Sequence, residues 1–244
     1  MKITEIFESI EGEGVRAGTL VTFIRFHGCN LRCAYCDTRY SYEEDPAMTV
    51  SIDEILSVVD NFGNKCVTIT GGEPLIQPGI TTLLLALAAR DYQVNVETNG
   101  SIVPELREEA LYDGMSPLDR RHVKTIIGEL HPESIKHMMY KNVFFTMDYK
   151  LKCSGQQEKM DINNLNCLLP NDVLKFVVGS TEDMDTAVDV IDSIKSTPTI
   201  YFSPVFGQIE PKAIAEYIKY HKLQNVKVQV QLHKILWDPD ERGV

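Results

Sequence analysis

Short runs of apolar and β-branched residues recur along the chain. Seven of these runs predict strands: Val21–Phe26, Val67–Thr70, Val94–Glu97, Val143–Tyr149, Leu174–Val178, Thr199–Ser203 and Val226–Leu232. Helix-like stretches between several of them predict four helices: Ile52–Asn61, Ile80–Arg90, Asp183–Lys195 and Pro211–Lys222. Strands that alternate with helices favour an α/β fold in which crossover connections join a parallel sheet.

Residues 101–142 interrupt this alternation. The segment carries charged stretches such as Leu118–Arg121 and only weak strand signals. We therefore expect an irregular connection or a small insertion at about 101–142. The chain of 244 residues otherwise suits a single domain spanning 1–244.

The acidic composition limits the classes of partner. A net charge of −11 argues against a general nucleic-acid binder and against a protein that binds anionic membranes. The first residues lack a long apolar run, and the apolar stretch Ile80–Ala89 is too short to span a bilayer. We expect a cytoplasmic protein with no membrane partner.

The loop Gly28–Thr38 follows the first predicted strand and spaces three cysteines as C-x3-C-x2-C. Cys29, Cys33 and Cys36 on one tight loop can bind three irons of a [4Fe–4S] cluster, which leaves the fourth iron open for a substrate or cofactor. A structural zinc ion with His27 as fourth ligand is the alternative. Zinc-finger ligands, however, normally come as two separated pairs.

Two further motifs follow predicted strands. Thr70–Pro74 reads Thr-Gly-Gly-Glu-Pro, in which two glycines allow a close approach to the backbone and Glu73 supplies a carboxylate. Glu97–Gly100 ends the third predicted strand, at the edge where open α/β folds bind ligands. Each motif alone is more often a turn than a binding site.

The cysteine loop and the glycine motif together resemble the radical S-adenosylmethionine superfamily. The resemblance implies an incomplete (β/α)6-type barrel with the cluster at the carboxyl ends of the strands. It also implies that S-adenosylmethionine chelates the open iron through its amino and carboxylate groups. The residues implied in cofactor binding are Tyr35, Cys36, Asp37, Gly72, Glu73, Glu97 and Lys150.

The N-terminal segment Glu8–Gly14, read with the strand that follows and the cysteine loop, is similar to one family of that superfamily, the 7-carboxy-7-deazaguanine synthases. The resemblance implies that Ile10, Glu11, Gly12, Glu13 and Thr70 contact the pterin substrate. It further implies that Arg25 meets the substrate carboxylate and that Thr38 binds Mg²⁺. The family motif is Gln-Gly-Glu-Gly, so Glu11 departs from it.

The reaction implied is the conversion of 6-carboxy-5,6,7,8-tetrahydropterin to 7-carboxy-7-deazaguanine with loss of ammonia. A flavodoxin or ferredoxin as electron donor and a homodimer are further implications of the family. Two alternatives stay open, a glycyl-radical-enzyme activase of the same superfamily and a non-catalytic zinc-binding module. His233 and the charged tail beyond Trp237 have no assigned role.

Overall fold

The computed structural model describes residues 1–44, 48–104, 124–125 and 132–244. Its strands are β1 (Lys2–Ile10), β2 (Leu20–Phe26), β3 (Met48–Thr49), β4 (Cys66–Gly71), β5 (Gln93–Thr98), β6 (Val143–Tyr149), β7 (Val173–Val178), β8 (Thr199–Pro204) and β9 (Val226–Val228). The α-helices whose bounds lie within these residues are α1 (Tyr40–Glu43), α2 (Ile52–Phe62), α3 (Ile80–Ala88), α4 (Pro132–Asn142), α5 (Thr181–Ser193), α6 (Pro211–His221) and α7 (His233–Leu236).

The nine strands form one sheet in the order β3-β1-β2-β4-β5-β6-β7-β8-β9. Every neighbouring pair from β2 to β9 is parallel, whereas β1 runs antiparallel to β2 and β3 runs antiparallel to β1. The predicted α/β fold is therefore confirmed. Among the described residues β3 and β9 are unpaired edges, so the sheet does not close into a complete barrel.

The longer helices pack against the sheet and bury apolar residues in the core. Ser51 caps α2 by accepting from the Glu54 backbone N–H, while the Glu54 side chain accepts from the Ser51 backbone N–H. Helix α3 is apolar almost throughout, and most of its residues are buried in the core. No helix among the described residues has an apolar stretch long enough to cross a membrane.

The seven predicted strands and four predicted helices are all present, with ends shifted by a few residues. The largest shift is in β9, which ends at Val228 because the chain then leaves the sheet edge. Strand β1 was not predicted, since its residues are mostly half-buried and give no long apolar run. Of the segment 101–142, helix α4 is regular, and 105–123 and 126–131 lie outside the described residues. A single domain spanning 1–244 stays a prediction.

Candidate active site

A cavity of about 650 Å³ lies at the carboxyl ends of the parallel strands. Strand β2 leads into the cysteine loop, and β4 and β5 end beside it. Of the predicted site residues, those that line the cavity are Ile10, Glu11, Gly12, Glu13, Arg25, Cys29, Cys33, Tyr35, Cys36, Asp37, Thr38, Thr70, Gly72, Glu97 and Lys150. Glu73 is the predicted residue that does not.

The three cysteines of the loop are free thiols, each half-buried. Burial raises the pKa of the Cys29 and Cys33 thiols, so ligation must supply the charge that keeps them as thiolates. In the described part of the chain, no three Cys, His, Asp or Glu side chains share one ion site. A [4Fe–4S] cluster takes one thiolate on each of three irons, which is the ligand set that this loop offers.

Two other possible metal ligands, Cys153 and His27, lie outside the cavity lining. Cys153 donates to the Val177 carbonyl at 3.4 Å. His27 is the proposed fourth zinc ligand. Tyr35 lines the cavity, and its buried hydroxyl has no partner among the described residues. Its ring centroid lies 5.8 Å from Nζ of Lys150, another residue of the cavity lining.

Gly71, the last residue of β4, and Gly72, which follows it, allow close contact with the segment that leads into the cysteine loop. A Cβ on Gly72 would overlap the Gly28 carbonyl oxygen, and a Cβ on Gly71, where φ is +127°, would overlap the Phe26 backbone. The contact is completed by the Glu73 amide, which donates to the Gly28 carbonyl at 2.8 Å. The glycine motif therefore packs directly against the start of the cysteine loop.

Glu73 is fully buried behind the cavity wall. Its carboxylate accepts from the Leu75 amide at 2.9 Å, the Thr98 hydroxyl at 2.8 Å and the Asn99 amide at 2.7 Å. Burial raises the pKa of Glu73, although these three donors oppose that shift. The side chain ties the end of β4 to the end of β5.

Asn99 brings the end of β5 to the cysteine loop. Its side-chain amide lies 3.8 Å from Cys29 Sγ and donates to Asn30 Oδ1 at 2.9 Å. The motif Glu97–Gly100 was recognised from the sequence, but this contact was not. Asn-Gly at a strand end is common in turns, and only the packing of β5 beside β4 directs the amide to a thiol.

A chain of alternating charges forms one wall of the cavity. Lys175 on β7 lies 2.7 Å from Glu13 and 3.1 Å from Asp148, and Lys150 lies 2.6 Å from Asp148. Burial alone raises the pKa of Asp148, but the two lysines outweigh it and hold that pKa below its usual value. Lys175 was missed in the sequence, where it reads as part of an ordinary strand.

Glu11 also lines the cavity and is more fully buried than this row of charged side chains, with 2% of its surface exposed. It accepts from the Thr68 hydroxyl at 2.5 Å, and Arg16 Nη2 is 4.0 Å away. Arg16 is held by other acceptors, the Gln93 and Val67 carbonyls and the Thr68 hydroxyl. Burial, followed by the nearby Glu97 carboxylate, raises the pKa of Glu11 to about 7.

Comparison with known proteins now decides the family. Residues 23–120 match the model of the Radical SAM superfamily. The chain is 41% identical to the 7-carboxy-7-deazaguanine synthase of Clostridium acetobutylicum, over 100% of this chain and 99% of that relative. It is 36% identical to the synthase of Chlorobaculum tepidum, over 100% and 97% of the two chains. The chain belongs to the 7-carboxy-7-deazaguanine synthase family.

A solved structure with the same fold is QueE from Escherichia coli. The TM-score is 0.64 with 22% sequence identity, covering 94% of this chain and 93% of that one. At this identity the likeness establishes the fold alone. As a radical S-adenosylmethionine protein of the synthase family, the chain uses a [4Fe–4S] cluster and S-adenosylmethionine.

The C-terminal segment of this synthase-family chain also reaches the site. His233 lies against Gly12, and residues 239–244 line the cavity. Arg242 pairs with Glu44 at 2.8 Å and lies over the ring of Tyr40 at 4.0 Å. The tail that had no assigned role in the sequence is therefore part of the cavity rim.

Proposed function

We propose that the protein converts 6-carboxy-5,6,7,8-tetrahydropterin to 7-carboxy-7-deazaguanine with loss of ammonia, a step toward queuosine and other deazapurines. One observation carries this proposal: the N-terminal segment Ile10–Glu13, the cysteine loop and the ends of β4 and β5 line a single cavity. Relatives that match the whole chain carry the name of this synthase.

Cys29, Cys33 and Cys36 would hold the [4Fe–4S] cluster and leave one iron for S-adenosylmethionine. When bound, S-adenosylmethionine at the cluster would supply the radical chemistry that takes a hydrogen from carbon 6 of the substrate. The substrate ring would then contract and lose ammonia. The product differs from the substrate by that ammonia alone, so S-adenosylmethionine is regenerated.

The protein's own residues bind and orient the two small molecules. We assign Tyr35, Asp37, Gly72, Glu97 and Lys150 to S-adenosylmethionine. Their position around the cysteine loop supports this assignment. For Glu73, which is buried behind the wall, we propose an indirect part, in which it fixes the two strand ends that carry the cofactor contacts.

We assign Ile10, Glu11, Gly12, Glu13 and Thr70 to the pterin. Arg25 would bind the substrate carboxylate, because its guanidinium forms two parallel hydrogen bonds with a planar carboxylate.

Thr38 would bind Mg²⁺ through its hydroxyl, together with the substrate carboxylate and water. Its hydroxyl lies 3.8 Å from Cys36 Sγ, which would bring the ion beside the cluster. Magnesium prefers oxygen ligands and retains waters, so a single protein oxygen is enough.

The proposal has three further parts. The reductant is a flavodoxin or ferredoxin, the protein is a homodimer, and it is located in the cytoplasm.

An anaerobic turnover assay tests the function. Reconstituted protein receives S-adenosylmethionine, Mg²⁺, a reductant and the pterin, and mass spectrometry identifies the products. We expect 7-carboxy-7-deazaguanine from the wild type, none from Cys33→Ala, and normal turnover from Cys167→Ala, whose thiol lies outside the cavity.

Two other outcomes would contradict the proposal in different ways. Formation of 5'-deoxyadenosine without the deazaguanine product would agree with the radical S-adenosylmethionine superfamily but would show that the pterin is not the substrate. That result would favour the glycyl-radical-enzyme activase. A colourless protein that holds zinc after anaerobic purification would favour a metal-binding module.

A further inference from the structure

Glu5 and Arg25 face each other across the antiparallel pair of β1 and β2, where they are register partners. Arg25 Nε donates to Glu5 Oε1 at 2.7 Å, and the Tyr40 hydroxyl donates to the same oxygen at 2.9 Å. The Arg25 side chain is 14% exposed and the Glu5 side chain is 22% exposed. Because the strand register fixes both backbones, this pair is held more rigidly than an ion pair on a mobile surface.

The hydrogen bond to Glu5 uses Nε of Arg25, and this determines which donors of the guanidinium remain for a ligand. A guanidinium is planar, and its N–H donors point outward in that plane. A hydrogen bond at Nε therefore fixes the plane and leaves Nη1 and Nη2 side by side. Within the described part of the chain these two nitrogens make no hydrogen bond to protein.

Arg25 lines the cavity, whereas Glu5 does not. Glu5 thus contacts Arg25 from the neighbouring strand, on the same face of the sheet but outside the cavity lining. The rings of Phe7 and Tyr40 lie 5.8 and 5.9 Å from the guanidinium carbon. Two rings and one carboxylate oxygen together restrict the group to one orientation.

We propose that Glu5 is a positioning residue, which sets the plane of the Arg25 guanidinium so that its two terminal nitrogens meet the carboxylate of the pterin substrate. The inference rests on the proposed function, in which Arg25 binds that carboxylate. Bidentate pairing requires coplanar groups, so a rotated guanidinium loses one of its two hydrogen bonds. A merely structural ion pair would stabilise the fold without affecting recognition of the carboxylate.

Two variants of Glu5 separate these roles. Glu5→Ala removes the acceptor, and Glu5→Gln keeps an oxygen acceptor without the charge. We expect Glu5→Ala to raise KM for the pterin by about ten- to a hundredfold with little change in kcat, and Glu5→Gln to recover most of the loss. Glu8→Gln is the matched control, because Glu8 lies on the same strand, is exposed and lies outside the cavity lining.

The deciding measurement is anaerobic calorimetric binding of two ligands to the cluster-loaded proteins, the pterin and its analogue without the 6-carboxylate. Glu5→Ala should weaken binding of the pterin and leave the analogue unaffected. Wild-type affinity of Glu5→Ala for the pterin, equal losses for both ligands, or failure of Glu5→Gln to restore binding would each overturn the positioning role. Should Glu5→Ala not fold, Glu5→Met replaces it. A wild type that makes no deazaguanine would instead contradict the proposed function.

Discussion

At the scale of single residues, Glu11 shows how burial changes the chemistry of a carboxyl group. Its oxygen accepts one hydrogen bond from Thr68, and its nearest cation, Arg16, is 4.0 Å away and bonded elsewhere. Glu13 and Asp148 each have a lysine within hydrogen-bond distance. Burial and the nearby Glu97 carboxylate raise the pKa of Glu11 to about 7, and the Thr68 hydrogen bond and the distant Arg16 offset this only in part.

This raised pKa predicts a pH dependence of stability. Between the ordinary pKa of 4.5 and about 7, the native protein keeps a proton on Glu11 that the unfolded chain has lost. The native state is consequently destabilised as the pH rises through this window. We expect Glu11→Gln and wild type to have similar free energies of unfolding at acidic pH, and the variant to be more stable by about 2–3 kcal/mol above neutrality.

Urea unfolding of both proteins at the two ends of the window measures this difference. Titrating groups that do not interact with Glu11 behave alike in both proteins, so their contributions cancel. A difference between the two proteins that is independent of pH would contradict a protonated Glu11.

At the scale of elements, the site depends on how closely two strand-end loops approach. At the end of β4, Gly71 and Gly72 pack against residues 26–29. Glu73 then joins this end of β4 to the end of β5. The sequence suggested that the glycines leave room for a ligand. The structure shows that the neighbouring loop takes much of that room.

Gly72→Ala should therefore disturb the cysteine loop. Its methyl group would overlap the Gly28 carbonyl oxygen, so the two loops must separate. We expect less iron and sulfide bound per chain after anaerobic reconstitution than in wild type. Gly63→Ala is the control for backbone strain, because Gly63 ends α2 away from the cavity at a φ of +81° that disfavours alanine, while its Cβ would meet nothing within 4 Å. Equal iron content in the two variants would refute the packing role.

At the scale of the whole molecule, the N-terminal segment crosses the open side of the sheet and meets both the central strands and the C-terminal segment. The Gly14 amide donates to Gln229 Oε1 at 2.7 Å, and the Leu232 amide donates to the Gly12 carbonyl at 3.0 Å. Glu13 binds Lys175, which is 162 residues away. These contacts complete the cavity wall where the barrel is incomplete.

Lys175→Met should destabilise the whole protein. It leaves Glu13 largely buried without its cation, and such uncompensated buried charges typically cost about 3–5 kcal/mol. Urea unfolding measures this loss against Lys219→Met, which breaks an exposed pair with Glu216 on α6 and should change the free energy of unfolding by no more than about 0.5 kcal/mol. Equal effects of the two substitutions would show that the Glu13–Lys175 pair contributes no more than a surface pair.

The sequence by itself determined those features of the protein that depend on residues close together along the chain. Alternation of apolar runs and helical periodicity predicted the parallel α/β fold, since each element must bury one face. The cysteine loop was recognisable because its three ligands lie within eight consecutive residues, 29–36. The motifs Thr70–Pro74 and Glu97–Gly100 could be placed at strand ends because each lies next to a predicted apolar strand in the sequence.

Tertiary structure alone decided which of these residues meet and which face the cavity. Glu73 turned behind the wall, Lys175 became a partner of Glu13, and the tail reached the rim through Arg242. Glu5 acquired its position from the register of β1, a strand that the apolar pattern did not reveal. Such contacts join residues far apart in sequence, and they follow from strand order and packing, which no local spacing encodes.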